Sequence, residues 1–161
     1  MARETPGLVA TVGQVDVAPG ASNVIPGLVT LSLDVRHPDD AVRREAVCAL
    51  EHDAREIASR RRLGVEWRVV QEQCAVPCDP SLSSSLERAI AAAGLPVERL
   101  ASGAGHDAVV MSAVVPVAML FVRCKGGVSH NPAESVQAPD AAAAIDALDR
   151  LLDELATERP T

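Results

Sequence analysis

Aromatic residues are almost absent from this 161-residue chain, which has no tyrosine and only Trp67 and Phe121 besides its histidines. Its core must therefore be built from valine, leucine, isoleucine and alanine. The scarcity also removes the platforms on which proteins stack nucleic-acid bases. Positive charge is scarce too, because 15 Lys and Arg face 22 Asp and Glu. The net charge of −7 repels a phosphate backbone, and no segment concentrates enough positive charge to overturn it. These absences argue against nucleic acid as a partner.

Long hydrophobic runs are lacking as well. The longest, residues 113–122, contains Pro116 and falls well short of the ~20 residues that cross a bilayer. The first residues carry charge but no apolar signal core. We therefore expect a cytoplasmic protein with no membrane partner. The four cysteines form no CxxC pair and are interpreted as small apolar residues in a reducing compartment: Cys48, Cys74, Cys78 and Cys124.

Residues 28–36 alternate between apolar and polar side chains, which predicts a half-buried strand. A second β-rich run, residues 8–17, is interrupted by Gly13, and Pro-Gly turn dipeptides lie between the two runs. We expect the two strands to pair antiparallel. A helix is predicted from Pro38 to about Gly64, followed by a third strand over residues 65–69. The first part therefore has the order β-β-α-β.

The second part follows a proline-containing linker at residues 71–80. The patterns predict a helix from Asp79 to Gly94, a helical stretch within residues 102–113, a buried strand over 114–122 and a final helix from about Pro139. We place the domain boundary between residues 74 and 75. Neither part, 1–74 or 75–161, contains enough strands for a complete sheet, so both are expected to need further sequence.

The four histidines differ in context. His52 lies inside the long helix and is interpreted as a surface or packing residue, and His37 is explained by the start of that helix. His106 and His130 each follow glycines in loops beside the predicted buried strand, where a scaffold can present reactive groups. From the residues alone, a functional site and a plain turn remain equally open for each loop. His130 is the best single metal-ligand candidate, and most of its partners would have to lie outside the chain.

Three stretches carry a resemblance to a known family. They are Ser102-Gly103-Ala104-Gly105-His106-Asp107-Ala108, Gly127-Val128-Ser129-His130-Asn131-Pro132-Ala133-Glu134 with the preceding 119–122 run, and residues 20–27 running into 33–38. In this order they resemble the carboxy-terminal half of the hydantoinase/carbamoylase family amidases, which comprises N-carbamoyl-L-amino-acid hydrolases and allantoate amidohydrolases. Several motifs in register make the resemblance specific.

The resemblance implies an α+β lid, a ferredoxin-like half, joined to a fragment of an α/β metallohydrolase catalytic domain. It implies a pair of divalent metals (zinc, manganese, cobalt or nickel), a carbamoyl or ureido acid as substrate, and a homodimer formed through the lid. By the same resemblance His130 is the last metal ligand, and Asn23 and Arg36 hold the substrate carboxylate. Gly103, Ala104 and Gly105 contact the substrate through their backbone, and His106 lies in the same pocket.

Alternatives remain open for the lid residues. From the residues alone, a surface ion pair of Arg36 with Asp34 or Asp39 is favoured over carboxylate binding, and a turn-forming role is favoured for Asn23. The chain also departs from the family in carrying Arg123-Cys124 where relatives often have Pro-Ser. It has no counterpart of the segment that carries the other metal ligands and the catalytic glutamate.

The hypothesis is therefore a truncated part of a binuclear-metal amidohydrolase that is inactive as this chain alone, with no catalytic residue of its own. Two alternatives are retained. The first is a non-catalytic binding or dimerisation module derived from the lid, and the second is a metallopeptidase of the same superfamily.

Overall fold

The computed structural model of the chain describes residues 4–157. The chain divides into two compact units, Met1–Ala75 and Val76–Thr161, so the division falls one residue after the predicted boundary. We describe each unit by itself. Their elements are β1 (Val9–Ala18), β2 (Leu28–Arg36) and α1 (Asp40–Arg61) in the first unit, and α2 (Pro80–Ala92), α3 (Asp107–Met111) and α4 (Ala138–Thr157) in the second.

A two-stranded ribbon begins the first unit. β1 pairs antiparallel with β2, as the alternation predicted. The register changes between Val12 and Val15, which leaves Gly13 and Gln14 opposite Ser32. An extra residue on one strand is a β-bulge, and a glycine inside a strand commonly marks one. The irregularity at Gly13 thus shifts the register without ending the strand.

Helix α1 begins and ends through local hydrogen bonds. The Asp39 side chain accepts hydrogen bonds from the backbone N–H groups at the start of the helix, 2.7 Å from Ala41 N, as expected of an N-cap residue. At the other end Arg62 adopts the left-handed conformation, with φ +58°, and its N–H donates to the Ser59 carbonyl. The last residue of the helix, Arg61, therefore lies three residues before Gly64, the glycine that was expected to end it.

The predicted third strand at residues 65–69 is wrong. Within residues 4–157 the only sheet is the β1–β2 ribbon, and residues 65–69 belong to no strand. Val69 and Val70 are largely exposed, because no neighbouring strand pairs with this stretch. The residues that follow are instead tied to α1 by an ion pair between Arg43 and Glu72, with 3.0 Å between the charged atoms.

Two long helices form the second unit. α2 begins with Pro80 after the N-cap Asp79, and it packs on α4. Leu86, Ala89 and Ala147 are buried there. Both helices match their predictions. None of the helices within residues 4–157 combines the length and the apolar character that crossing a bilayer requires.

The predicted buried strand at residues 114–122 is also wrong. These residues form no strand, and the Val114 side chain is 75% exposed. A hydrogen bond of 2.7 Å from the Asp79 N–H to the Val117 carbonyl ties the segment to the start of α2. The predicted helical stretch before it is reduced to the short α3. An apolar run becomes a buried strand only beside other strands, and the described residues of the second unit form none. The observed fold is thus a partial α+β arrangement.

Candidate functional site

The loop that carries His130 connects the 114–122 segment to α4. Its base is closed by a hydrogen bond of 2.8 Å from the Lys125 N–H to the Ser135 carbonyl. Gly126 and Gly127 both have positive φ, at +66° and +70°, a conformation that glycine adopts at little cost. His130 has φ +56° although it is not a glycine. Residues 125–135 therefore form a tightly turned loop with an unusual backbone at its histidine.

The His130 side chain is exposed. Its Nδ1 lies 2.8 Å from the Ser129 hydroxyl, and its backbone N–H donates to Glu134 Oε2 at 2.7 Å. The imidazole is therefore not buried in apolar packing. A metal-ligand role requires this exposure. Because Nδ1 is occupied within the loop, Nε2 is the ring nitrogen that can bind another group.

The cysteine that departs from the family pattern contacts the same glutamate. Cys124 Sγ lies 3.7 Å from Glu134 Oε1. Burial raises the pKa of the Cys124 thiol, and the negative charge of Glu134 raises it further. The thiol therefore stays protonated at neutral pH and can donate to the carboxylate. Its neighbour Arg123 forms an ion pair of 2.6 Å with Asp140 in the first turn of α4.

The other glycine-containing loop holds His106 through Ser102. The Ser102 hydroxyl donates to the Ala104 carbonyl at 3.1 Å, accepts from the Ala104 N–H at 3.2 Å and lies 2.8 Å from His106 Nε2. A hydroxyl has one proton to donate. That proton can go either to the Ala104 carbonyl or to His106 Nε2, and in both cases Ser102 fixes the Nε2 edge of the ring.

A shallow cleft of about 370 Å³ lies beside this loop. The edge of the His106 ring meets Phe121, with 6.1 Å between the ring centroids. The cleft is lined by His106, Asp107, Ala108, Met119, Leu120 and Phe121, and His130 is not among these residues. The structure therefore gives His106 a cleft within the second unit but does not bring the two candidate histidines into one pocket there.

The glycines of the His106 loop face open space. A methyl group built on Gly103 or on Gly105 meets no other atom within 4 Å, and neither residue has positive φ. Nothing in the fold of the described chain thus requires glycine at Gly105. By contrast, positive φ at Gly127 disfavours any side chain there, although the space around it is also open.

Replacing Gly105 by alanine is expected to leave stability unchanged or to raise it by about 0.4–1 kcal/mol, because alanine restricts the unfolded chain and meets no clash here. Gly127→Ala is the matched control. It is expected to destabilise the chain by about 1 kcal/mol, because alanine disfavours a positive φ. Urea unfolding of both variants measures the difference. Equal destabilisation by the two substitutions would show that Gly105 has a structural role after all.

Arg36 is paired with its own strand neighbour. Its Nε lies 2.6 Å from Asp34 Oδ1, and a second guanidinium nitrogen lies 2.7 Å from Asp34 Oδ2. The hydrogen bond from Arg36 holds the pKa of the Asp34 carboxyl below its ordinary value. The side chains are about half exposed, at 51% each, so the pair adds little to stability. This is the surface ion pair that the residues alone left open for Arg36.

Asn23 lies in a turn of the connection between β1 and β2, which is closed by a hydrogen bond of 3.4 Å from the Val24 N–H to the Ala21 carbonyl. Arg36 is the last residue of β2, and Asn23 precedes its first residue, Leu28. The two ends of a strand of this length are about 26 Å apart, at ~3.3 Å per residue. The structure thus places the two lid candidates at opposite ends of β2.

The described residues do not form a metal centre by themselves. Among residues 4–157 there is no group of three or more His, Cys, Asp or Glu side chains that could hold a metal ion. A hydrolytic metal pair needs several such ligands and a general base. His130 could serve as one ligand of such a centre. The described residues do not supply the remaining ligands of a metal pair.

Sequence reasoning assigned no role to Ser102, Ser129 or Glu134. Each lies within a stretch that carried the family resemblance, but only the folded loops show that they contact the candidate histidines. The signal available in the sequence was spacing. Ser102 lies four residues before His106, and Glu134 lies four residues after His130.

Comparison with known proteins agrees with the loop motifs. The family model described as "Peptidase family M20/M25/M40" matches residues 4–154. A "Probable allantoate deiminase" from Oryza sativa subsp. japonica is 41% identical over 163 residues, which cover 94% of this chain and 33% of that protein. An "N-carbamoyl-L-amino acid amidohydrolase" from Geobacillus stearothermophilus is 39% identical over 147 residues, which cover 91% of this chain and 36% of that protein.

A solved structure shows the same likeness in three dimensions. The amidase of the hydantoinase/carbamoylase family from Burkholderia multivorans superimposes with a TM-score of 0.87 at 34% identity, covering 94% of this chain and 37% of that one. The chain spans about a third of the length of the curated relatives described above. The resemblance inferred from the loops is confirmed, and the chain belongs to peptidase family M20/M25/M40.

Proposed function

We propose that this chain is part of a metal-dependent amidohydrolase that cleaves a C–N bond in N-carbamoyl-L-amino acids or in related ureido acids such as allantoate. The observation that carries the proposal is the His130 loop, which exposes an imidazole with one ring nitrogen held and the other available. The names of the relatives supply the reaction class.

In this proposal His130 is one ligand of a pair of divalent metals, which could be zinc, manganese, cobalt or nickel. The pair would supply a water molecule activated for attack on the carbamoyl or ureido carbon. The other ligands and the general base come from outside residues 4–157, because these residues contain no such cluster. We therefore assign no hydrolytic step to the residues of this chain.

The proposed roles of the other residues concern binding. Arg36 holds the substrate carboxylate, since a guanidinium fork matches a carboxylate in two hydrogen bonds. Asn23, which lies beyond the other end of β2, could share that carboxylate only from a second copy of the chain. In the second unit, the backbone of Gly103, Ala104 and Gly105 faces the substrate beside the His106 cleft. Open space at Gly103 and Gly105 supports this role, because a ligand could approach the backbone there.

We further propose that the first unit is a lid, residues 1–74, and that it pairs with its copy in a homodimer. The β1–β2 ribbon supports this, because it has unpaired strand edges and exposes apolar side chains such as Val12 and Leu31, each by more than half. The second unit would be the carboxy-terminal part of the catalytic domain, residues 75–161.

The chain alone is proposed to be inactive and to need the remaining part of the fold. Large apolar side chains of the second unit support this. Val114, Ile145 and Leu152 are each more than 60% exposed, and large apolar side chains left open in this number are consistent with surfaces that another segment covers.

The experiment that tests the function is a graft. The matching third of the Geobacillus stearothermophilus protein is replaced by this chain, and hydrolysis of N-carbamoyl-L-amino acids and of allantoate is measured. We expect turnover that a chelator abolishes and Mn²⁺ or Zn²⁺ restores. The same protein with the matching third deleted is the control and should be inactive. The isolated 161-residue chain should show no chelator-sensitive turnover.

A folded graft that binds metal but hydrolyses neither substrate class would overturn the proposal. Peptide hydrolysis by the graft would favour the metallopeptidase alternative, in keeping with the family's description. The alternative of a non-catalytic binding or dimerisation module rests on the missing ligand cluster. Dimerisation of the chain by analytical ultracentrifugation, with an inactive graft, would favour it.

A further inference from the structure

We infer that Glu134 is a positioning residue, which holds the backbone of His130 in the left-handed conformation and thereby aims its imidazole out of the loop. The inference deepens the proposed function, since it rests on His130 being the working histidine. It concerns how this chain prepares that side chain before any metal or substrate is bound.

The backbone of His130 requires a restraint. A φ of +56° is uncommon for a residue with a side chain, and it costs free energy relative to the right-handed or extended conformations. Such a conformation persists only where the surrounding structure imposes it, and residues of this kind concentrate at functional sites. Something in the loop must therefore hold His130.

Glu134 supplies that restraint directly. Its Oε2 accepts a hydrogen bond of 2.7 Å from the backbone N–H of His130. The acceptor is a carboxylate, and hydrogen bonds to charged groups are about twice as strong as neutral ones. The residues between them are also fixed, because the Glu134 N–H donates to the Asn131 carbonyl at 2.8 Å and the Ala133 N–H donates to Asn131 Oδ1 at 2.9 Å.

The position of Glu134 is fixed from the other arm of the loop. Cys124 Sγ lies 3.7 Å from Oε1, and next to it the Lys125 N–H donates to the Ser135 carbonyl at 2.8 Å. One carboxylate thus contacts both arms, through a different oxygen on each. Both oxygens are therefore already engaged within the loop. Glu134 affects binding by holding His130, and we do not propose that it contacts a metal or a substrate itself.

The ring orientation follows from the backbone. With His130 held in this conformation, its Nδ1 lies 2.8 Å from the hydroxyl of the preceding Ser129. A histidine ligand usually has its second ring nitrogen fixed by a hydrogen bond, which sets the tautomer and the direction of the ring. Here the Ser129 hydroxyl makes that contact, and when it accepts a hydrogen bond from Nδ1–H the lone pair of Nε2 is left to bind.

The test compares Glu134→Ala and Glu134→Gln in the full 161-residue chain by NMR. Glutamine keeps an oxygen acceptor for the His130 N–H, whereas alanine removes it. In the parent chain we expect the strong intraresidue HN–Hα NOE at His130 that marks positive φ. The alanine variant should lose it, and the His130 amide should exchange with solvent about tenfold faster, as loss of a hydrogen bond to a charged group predicts. Glu134→Gln should retain the NOE.

Glu98→Ala is the matched control, since Glu98 is an exposed carboxylate of the same unit. It should leave the His130 signals unchanged. In the active graft, Glu134→Ala should lower kcat about 10- to 100-fold, the usual cost of losing an outer partner of a metal ligand, and Glu134→Gln should restore much of the loss.

An ordinary negative φ at His130 in the parent chain would overturn the inference, as would a His130 NOE that survives Glu134→Ala in a folded variant. If Glu134→Ala unfolds, the His130 NOE and amide exchange in the parent chain and in Glu134→Gln decide the inference. An inactive graft would refute the proposed function without affecting these NMR results, so the two failures are distinguishable.

Discussion

Replacing His130 by alanine in the active graft is expected to lower kcat/KM by roughly 100-fold or more. The reason is that loss of an outer partner of a metal ligand already costs about 10- to 100-fold, and His130 is proposed to be a ligand itself. Steady-state hydrolysis of N-carbamoyl-L-amino acids or allantoate at saturating metal measures the effect. The bound metal, determined by elemental analysis after dialysis, should fall in parallel.

His52→Ala is the control for this experiment. His52 is an exposed histidine in α1, and its removal should change neither turnover nor metal content. A His130→Ala graft that keeps both full activity and full metal content would remove the ligand assignment. Its loop would then be a turn and nothing more, the alternative that the residues alone left open.

Replacing Arg36 by alanine in the same graft is expected to raise KM for carboxylate substrates by about 10-fold or more. The reason is that removing one partner of a desolvated, charged hydrogen-bonded pair costs at least about 2 kcal/mol. Because Asp34 occupies the guanidinium in the structure, Asp34→Asn should have the opposite sign. It removes the competing charge and should lower KM. Initial rates over a range of substrate concentrations separate the two effects.

The control for Arg36 is a substrate analogue in which the carboxylate is converted to an amide. Arg36→Ala should not raise KM for that analogue. Equal losses with both substrates would mean that Arg36 serves only the surface ion pair that the structure shows. Lysine at this position should rescue poorly, because an ammonium cannot pair with a carboxylate through two parallel hydrogen bonds.

The Asp34–Arg36 pair also has a defined response to pH. Because Arg36 lowers the pKa of Asp34 below its ordinary value of 3.8, the contribution of the pair to stability is present above that ordinary value and is lost as the pH falls through the lower folded-state value. At neutral pH the Asp34 carboxylate therefore stays charged and competes with a substrate for Arg36.

Elements defined by short-range chemistry could be predicted from the sequence. The β1–β2 pairing, the irregularity at Gly13 and the start of α1 just after Pro38 depend on neighbouring residues and on simple alternation. The same holds for α2 and α4. The predictions of strands at residues 65–69 and 114–122 were wrong. An apolar pattern indicates that a segment can join a sheet, but a strand forms only where a neighbouring strand is present to pair with it.

The candidate site, too, could be predicted from the sequence only in part. The histidine loops and the family were recognisable from residue order alone, since glycines, His106 and His130 stand at characteristic spacings. Their partners were not recognisable, because a hydrogen bond between residues four positions apart depends on how the loop turns.

The amino-acid sequence by itself thus determined the family and the elements that depend on neighbouring residues, and it indicated the two loops that are proposed to carry chemistry. Only the tertiary structure decided that Arg36 pairs with Asp34, that Ser102 contacts His106, and that Glu134 restrains His130. The physical reason is that periodicity and capping act over a few residues of backbone. Side-chain pairing, in contrast, depends on the path that the chain takes through space, here above all on a positive φ at His130.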